Sequence, residues 1–321
     1  MNSHLRYLSI AEFQSASTIE KKDIADNFIE GLREYGFGII KDTIFNSELE
    51  SSLYSEADSF FSSSNVIKDR YYFPDIFGQR GYTKPLVETA QGSDVPDLKE
   101  FYQYGRPPKA SYTKELGYYE NPSLVDFPNF ELKMKEIYDV LNTVSIQVLE
   151  VVSLGLGINF EFFQTYTDYG NSIMRILNYF SYNDLKLISN DSYYDLPKWA
   201  EAHTDINLIT LLIGSTQQGL QIYSENRWLD YVAKPGELAM NVGDMLSRMT
   251  GNYLPSTMHR VICPNDFYGS RLSAPFFLHP SYNMPLGVHS DLKEKFHIQS
   301  FEPILAGEFL NQRLIEIGLK N

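Results

Sequence analysis

From Ser172 onward the chain breaks into short apolar runs bounded by turn-forming residues, and this texture limits its fold more than any other feature. The runs are Ile173 to Phe180, Ile206 to Ile213, Gly219 to Tyr223, Glu237 to Asn241, Met258 to Ile262 and Arg271 to Leu278. Between them lie Gly214, Gly219, Pro235-Gly236, Gly243-Asp244 and Gly251-Asn252. Gly and Asn tolerate positive φ and Pro presets the φ of a turn, so these positions reverse the chain. Many short strands at regular spacing predict a β sandwich or barrel.

The first half has a different period. Ile24, Phe28, Leu32 and Tyr35 recur at helical spacing, and Gly36 follows where a C-terminal cap belongs. Phe37-Gly38-Ile39-Ile40 reads as a short buried strand, and a second helix is predicted from Ser47 to about Phe61, before Ser62-Ser63-Ser64. Residues 65–128 are dense in Tyr, Phe, Pro and Gly without a clean period and predict an ordered loop region serving as core or pocket wall. A long helix is predicted from about Asn129 to Leu154, because Ile137, Leu141, Val144, Val148 and Val151 form one stripe that Gly155 and Gly157 end. A last helix covers about Leu305 to Leu319. With no repeat or flexible linker, one domain is expected over 1–321: a mostly helical part over about 1–170, a strand-rich core over about 171–300 and a terminal helix over about 301–321, with helices buttressing one sheet face.

Composition narrows the partners. The 27 Lys and Arg against 41 Asp and Glu give a net charge of −14, and no basic run could neutralise a row of phosphates, so nucleic acid is not an expected partner. Met1-Asn2-Ser3-His4-Leu5-Arg6 does not read as a leader, and no stretch of about 18 apolar residues stands out, so neither export nor a membrane span is expected. The single cysteine, Cys263, cannot close an intrachain disulfide, which suits a reducing cytoplasm.

The six histidines are His4, His203, His259, His279, His289 and His297. Two of them open an H-x-D tripeptide. His203-Thr204-Asp205 immediately precedes an apolar run, so residues 203 and 205 are expected on one side of an extended segment, able to share an ion. A third ligand must come from a distant strand, and His259 begins one. Two His and one carboxylate on a face of an octahedron leave three positions open, the arrangement of non-haem Fe(II) oxygenases. The rival His289-Ser290-Asp291 has only His297 after it and sits in a polar stretch near Lys293, so it reads as surface. On the strand beginning at Arg271, residues Arg271 and Ser273 share a face and offer a guanidinium and a hydroxyl to one carboxylate. An arginine inside an apolar run needs an anionic partner.

With these residues in view, the chain resembles the isopenicillin N synthase-like branch of the Fe(II)/2-oxoglutarate-dependent dioxygenases. The resemblance runs through Leu32-Arg33-Glu34-Tyr35-Gly36-Phe37, Arg80-Gly81-Tyr82-Thr83, Pro96-Asp97-Leu98-Lys99-Glu100-Phe101, Met174-Arg175-Ile176-Leu177-Asn178-Tyr179, Glu201-Ala202-His203-Thr204-Asp205, Gly219-Leu220-Gln221, Gly243-Asp244, Met258-His259-Arg260-Val261 and Arg271-Leu272-Ser273. It implies a mainly β protein, a distorted double-stranded β-helix (a cupin-like jelly roll) with flanking helices. Iron would be held by His203, Asp205 and His259; Arg271 and Ser273 would bind the distal carboxylate of 2-oxoglutarate, Tyr179 would hydrogen-bond it and Arg175 would line the same pocket. The stretch from His259 to Arg271 is two residues longer than in plant members, through Pro264-Asn265-Asp266, and Leu177 stands where several of them carry asparagine.

The implied chemistry uses O2 to decarboxylate 2-oxoglutarate to succinate and CO2 while oxidising a small molecule by hydroxylation, desaturation or cyclisation. Asp205 argues against halogenation, since related halogenases leave that ligand position to chloride. The aromatic stretch 71–106, including Phe77, Tyr82 and Phe101, is the expected source of pocket walls. Arg80 matches in context an arginine that holds a substrate carboxylate in isopenicillin N synthase, which suggests a carboxylated or amino-acid-like substrate. Three alternatives stay open at this point: an oxidase of the same fold that does not consume 2-oxoglutarate, as isopenicillin N synthase and aminocyclopropane-carboxylate oxidase are; a zinc hydrolase; and a metal-binding jelly-roll module without catalysis. Cys263, close to the ligand strand, is a candidate for oxidation during uncoupled turnover.

Overall fold

A computed structural model describes residues 5–76, 78–85, 87, 99–109, 113–181, 198–264, 267–296, 298 and 301–316. The chain enters through β1 (Tyr7–Ser9) and α1 (Ile10–Ser15) into α2 (Thr18–Tyr35). Ser17 and Glu20 close a capping box at the start of α2, and Gly36, at φ 65°, ends it by donating its N–H to Leu32 O. There follow β2 (Phe37–Lys41), α3 (Ser47–Phe61), the short α4 (Asn65–Lys68), β3 (Gly81–Thr83), β4 (Lys99–Gly105), α5 (Pro128–Leu156) and α6 (Phe160–Thr167). The second half contains β5 (Ile173–Tyr179), β6 (Lys198–His203), β7 (Ile209–Ile213), β8 (Leu220–Ser224), β9 (Arg227–Asp230), β10 (Leu238–Val242), α7 (Asp244–Met249), β11 (His259–Ile262), β12 (Arg271–Leu278), α8 (Ser290–Phe296) and α9 (Ala306–Glu316).

Two sheets result. The larger has the order β1-β2-β10-β7-β12-β5-β4-β3, antiparallel except for β1 with β2, and the smaller is β6-β11-β8-β9. Alternation along each strand sorts the side chains. On β5, Met174 and Ile176 join the core shared with the helices, while Leu177 and Tyr179 join Phe37, Phe101, Trp199, Leu220 and Ile222 in a second cluster between the sheets. The large sheet therefore rests its outer face on helices and turns its inner face to the small sheet, as in a jelly roll.

The principal support is α5, whose buried stripe runs from Phe130 and Met134 through Ile137, Leu141, Val144 and Val148 to Val152. Contrary to the sequence expectation, this helix is long and apolar enough to cross a membrane by composition alone, but its apolar stripe is taken up by the protein core. Gly157, at φ 78°, ends the helix; Gly155 lies inside it. A Cβ at Gly155 would stand 2.4 Å from Ile29 Cγ1 and 2.8 Å from Ala25 O, so this glycine permits close approach of α2 rather than stopping α5.

Three further expectations are corrected. The supposed loop region of 65–128 supplies β3 and β4 to the large sheet, with β4 paired along its whole length to β5. The strands β6 and β9 had no predicted counterpart. His203 and Asp205 do not share one extended segment: His203 ends β6, whereas Asp205 lies in the connection to β7. Phe77, His297 and residues 96–98 and 265–266 lie outside the described residues.

Candidate active site

His203 and His259 are direct cross-strand partners on β6 and β11, with ring centroids 4.4 Å apart. Asp205 joins them from the following loop, whose backbone is fixed when Asp244 N–H bonds to Asp205 O and Met245 N–H to Ile206 O. One ligand atom from each of the three residues lies within 4.8 Å of the others, and His259 Nε2 is 3.9 Å from Asp205 Oδ1. Each imidazole has its direction set by the backbone: His203 Nδ1 donates to Glu201 O at 2.7 Å and His259 Nδ1 to Thr257 O at 3.1 Å. Both Nε2 atoms are thus left as neutral ligand lone pairs. The edge of Phe37 packs on the His259 ring at 5.6 Å.

Desolvation by the surrounding protein, together with the neighbouring His259, holds His203 below the usual imidazole range, although the residue is exposed. Burial pushes Asp205 upward, but His259, His203 and two side-chain hydrogen bonds outweigh it and hold the carboxyl below the usual carboxylate range. Both groups are therefore in ligand form at neutral pH.

The two hydrogen bonds come from residues that sequence reasoning did not single out. Thr210 Oγ1 on β7 and Asn241 Nδ2 on β10 donate to Asp205 Oδ2 at 2.5 and 2.8 Å, leaving Oδ1 for a metal. The signal was present: each is a polar residue inside an otherwise apolar strand. Asn241→Leu is expected to weaken Fe(II) binding by about 10–100-fold, the usual cost of removing a partner that orients a ligand. Competition with a chromogenic chelator measures it, and an unchanged affinity would remove Asn241 from the site.

Arg271 and Ser273 are both buried and opposite Tyr179 and Leu177 in the β12–β5 register. The Arg271 guanidinium, 1% exposed, lies 5.2 Å from the Tyr179 ring and 5.4 Å from the Trp199 ring. Its Nε donates to Gln217 O and its Nη2 to Ser215 Oγ, each at 2.9 Å, while Nη1 is buried without a partner. No carboxylate among the described residues pairs with it. Burial lowers its pKa from the ordinary guanidinium value, so the fold maintains a cation lacking an anion. The distal carboxylate of 2-oxoglutarate fits this unfilled donor. Arg175 is on the same face of β5, with Nε on Gln103 Oε1 at 2.9 Å and its guanidinium 4.0 Å from the Phe101 ring. Phe101 is accordingly an interior wall.

Of two substrate candidates, one is enclosed and the other is corrected. Arg80 is 0% exposed, and its Nη atoms donate to Gln79 O, Arg106 O and Asn171 Oδ1, while its Nε is buried without a partner. Tyr82 turns toward the helices, packing on Phe60 and donating its hydroxyl to Glu100. The rival His289-Ser290-Asp291 is an ordinary partly exposed pair, with His289 Nδ1 3.7 Å from Asp291 Oδ2. Cys263 is fully buried and burial pushes its thiol up to about 12, so it is a poor candidate for oxidation.

A cavity of about 140 Å³ is lined by Gln79, Tyr118, Tyr119, Asn171, Met245, His279, Tyr282 and residues of α9 including Leu310 and Leu314. Burial holds His279 down to about 4 from 6.5. As pH falls below 6.5 the unfolded chain gains this proton before the native one, so stability falls. The resulting loss approaches about 2–3 kcal/mol near pH 4.5. Urea unfolding of wild type and His279→Leu at pH 7 and pH 4.5 tests this: the variant should show the smaller acid loss.

Comparison with known proteins supports the same assignment. The model of the 2OG-Fe(II) oxygenase superfamily matches residues 172–280, and that of the non-haem dioxygenase in morphine synthesis N-terminal region matches residues 8–123. A 1-aminocyclopropane-1-carboxylate oxidase of Dictyostelium mucoroides is 28% identical over 307 residues, covering 87% of this chain and 82% of that one. A full-length Neurospora crassa protein solved in complex with alpha-KG superposes with a TM-score of 0.83 at 24% identity, over 97% of this chain and 95% of that one. A 2OG-Fe(II) oxygenase family protein of Caulobacter crescentus superposes with a TM-score of 0.83 at 30% identity, over 98% and 99% of the two chains. Matched in both halves and along almost its whole length, the chain belongs to the isopenicillin N synthase-like 2OG-Fe(II) oxygenases.

Proposed function

We infer that the protein is a non-haem Fe(II)- and 2-oxoglutarate-dependent dioxygenase that oxidises a C–H bond of a small molecule. The observation that carries the 2-oxoglutarate dependence is the buried Arg271 Nη1 without a partner, beside Ser273 and under Tyr179. When bound, Fe(II), 2-oxoglutarate and O2 supply the oxidant, with succinate and CO2 as co-products. His203, Asp205 and His259 would hold the metal, and Thr210 and Asn241 fix which carboxylate oxygen faces it. Arg271 and Ser273 anchor the far end of the co-substrate, and the apolar ring of Phe37, Phe101, Leu177 and Trp199 keeps water from the barrel interior.

For a carboxylated or amino-acid-like substrate, Arg80 offers one donor without a partner, its buried Nε. The lone buried Cys263 suits a reducing cytoplasm, the compartment we assign. The aminocyclopropane-carboxylate oxidase relative keeps the oxidase without 2-oxoglutarate as the second reading. Anaerobic addition of Fe(II) and then 2-oxoglutarate separates the two. The visible charge-transfer band of the chelate should form, vanish in His203→Ala and weaken in Arg271→Ala. Tight Fe(II) binding without a band would favour the oxidase.

A further inference from the structure

His203 ends β6 on the small sheet and Ile209 begins β7 on the large one, so the loop carrying Asp205 crosses between the two sheets. Its course is set by the start of α7. Asp205 O accepts from Asp244 N–H at 2.7 Å, Ile206 O and Asn207 O accept from Met245 N–H at 3.2 and 3.1 Å, and Leu208 O accepts from Gly243 N–H at 2.9 Å. Each carbonyl from 205 to 208 therefore rests on residues 243–245, and the metal loop follows wherever these three residues go.

The side chain that steadies them is distant in sequence. Thr204, between the two ligands of the H-x-D tripeptide, donates its hydroxyl to Asp244 Oδ2 at 3.3 Å, and Arg313 Nη2 of α9 pairs with that same oxygen at 3.3 Å. The Asp244 side chain is only 15% exposed, and a carboxylate so enclosed needs a countercharge to stay in place. Arg313 supplies it, while its Nη1 pairs with Glu316 Oε2 at 2.7 Å. Helix α9 is a firm anchor for this arm. Ala306 and Gly307 donate to Met284 O and Tyr282 O, each at 2.9 Å, and a Cβ on Gly307 would stand 1.8 Å from Tyr282 Cδ2. A second tie between α7 and the terminal segment does not involve Asp244: Arg248 donates to Glu302 O and its guanidinium lies 4.9 Å from the Phe301 ring.

We propose that Arg313 is a positioning residue for the metal site: through the Asp244 carboxylate, the terminal helix holds the His203-Thr204-Asp205 loop in its ligating geometry. Arg313 contributes no ligand atom, and its effect passes through Asp244. The proposal rests on the reading of the triad as the Fe(II) site, while the order of the loop is measurable with no metal present.

The test compares Arg313→Met, Arg313→Lys and Arg248→Met with wild type, all as full chains. Anaerobic competition with a chelator gives Fe(II) affinity, and hydrogen exchange of the metal-free chains follows the amides of 243–245. Arg313→Met should weaken Fe(II) binding about three- to fivefold, the worth of one partly exposed ion pair, and speed exchange at Asp244 and Met245 by a similar factor. Removing a cation would by itself tighten the binding of a metal ion, so the sign of the change separates positioning from electrostatics. Arg313→Lys, which keeps the charge, should stay within about twofold of wild type. Arg248→Met also loses a cation and a tie to the terminal segment, and should leave Fe(II) affinity unchanged. The proposal is overturned if Arg313→Met binds Fe(II) as tightly as wild type or more tightly, if Arg313→Lys is no better than Arg313→Met, or if Arg248→Met is equally weak. A wild-type chain that binds no Fe(II) would instead count against the metal reading, and exchange at Asp244 in Arg313→Met would still decide whether the helix holds the loop.

Discussion

Asp205→Ala is expected to weaken Fe(II) binding by more than the roughly 100-fold that losing an orienting partner costs, and to abolish oxygen-dependent turnover. Asp205 is the only anionic ligand of the three, so its loss removes charge as well as a donor. Its removal also strands the buried Asn241 Nδ2, which donates to Oδ2, whereas Thr210 Oγ1 retains the Asn207 side chain as a partner. Asp205→Asn separates these effects by keeping an amide oxygen while losing the charge. Chelator competition and circular dichroism on both variants give the result. An affinity for Asp205→Ala within tenfold of wild type, with the fold intact, would show that the metal sits elsewhere.

Glu100→Ala is expected to cost about 3–5 kcal/mol of stability, the range for removing one partner of a buried ion pair. Glu100 is 1% and Lys68 5% exposed, with Lys68 Nζ 2.7 Å from Glu100 Oε2. Tyr82 donates to the same oxygen at 2.6 Å, and Asn178 Nδ2 donates to Oε1 at 2.8 Å. One carboxylate therefore ties α4, β3 and β5 to β4. Without it an ammonium remains in the core with, among the described residues, Phe61 O as hydrogen-bond acceptor at 3.1 Å and the Tyr82 ring at 5.5 Å. Lys68→Met/Glu100→Leu should recover part of the loss, because both charges leave together. Urea unfolding measures the series; a loss below about 1 kcal/mol for Glu100→Ala would mean that water reaches the pair.

The divide between what sequence shows and what it conceals follows from periodicity. The helices α2, α3 and α5 carry stripes of fixed spacing with glycine or serine punctuation, so their extents were close to those observed. Strand β4 has no such rhythm: in Lys99–Gly105 both faces are covered, and Glu100 and Gln103 are buried with partners rather than solvated. Strand β6 contains Lys198, Glu201 and His203 and gains its form from pairing with β11. Strand β9 is set by the left-handed pair Glu225-Asn226, which reverses β8 onto it. The triad was legible because His203 and Asp205 share one H-x-D tripeptide and His259 begins a strand. The surroundings of Arg80 were not legible, because local context describes neighbours in the chain and not the carbonyls of Arg106 and Gln79 that accept from its guanidinium.

The ligands are divided between the two sheets. His203 and His259 are paired on the small sheet, while Asp205 is held by Thr210 and Asn241 on neighbouring strands of the large one. An ion at this place is a rivet across a seam, and part of its binding free energy goes into keeping the two halves in register. The open end of the barrel should accordingly breathe less when loaded, with slower amide exchange along β6 and the 203–207 loop than in the metal-free chain. The same ion that carries out the chemistry would then also set the stiffness of the mouth through which substrate enters.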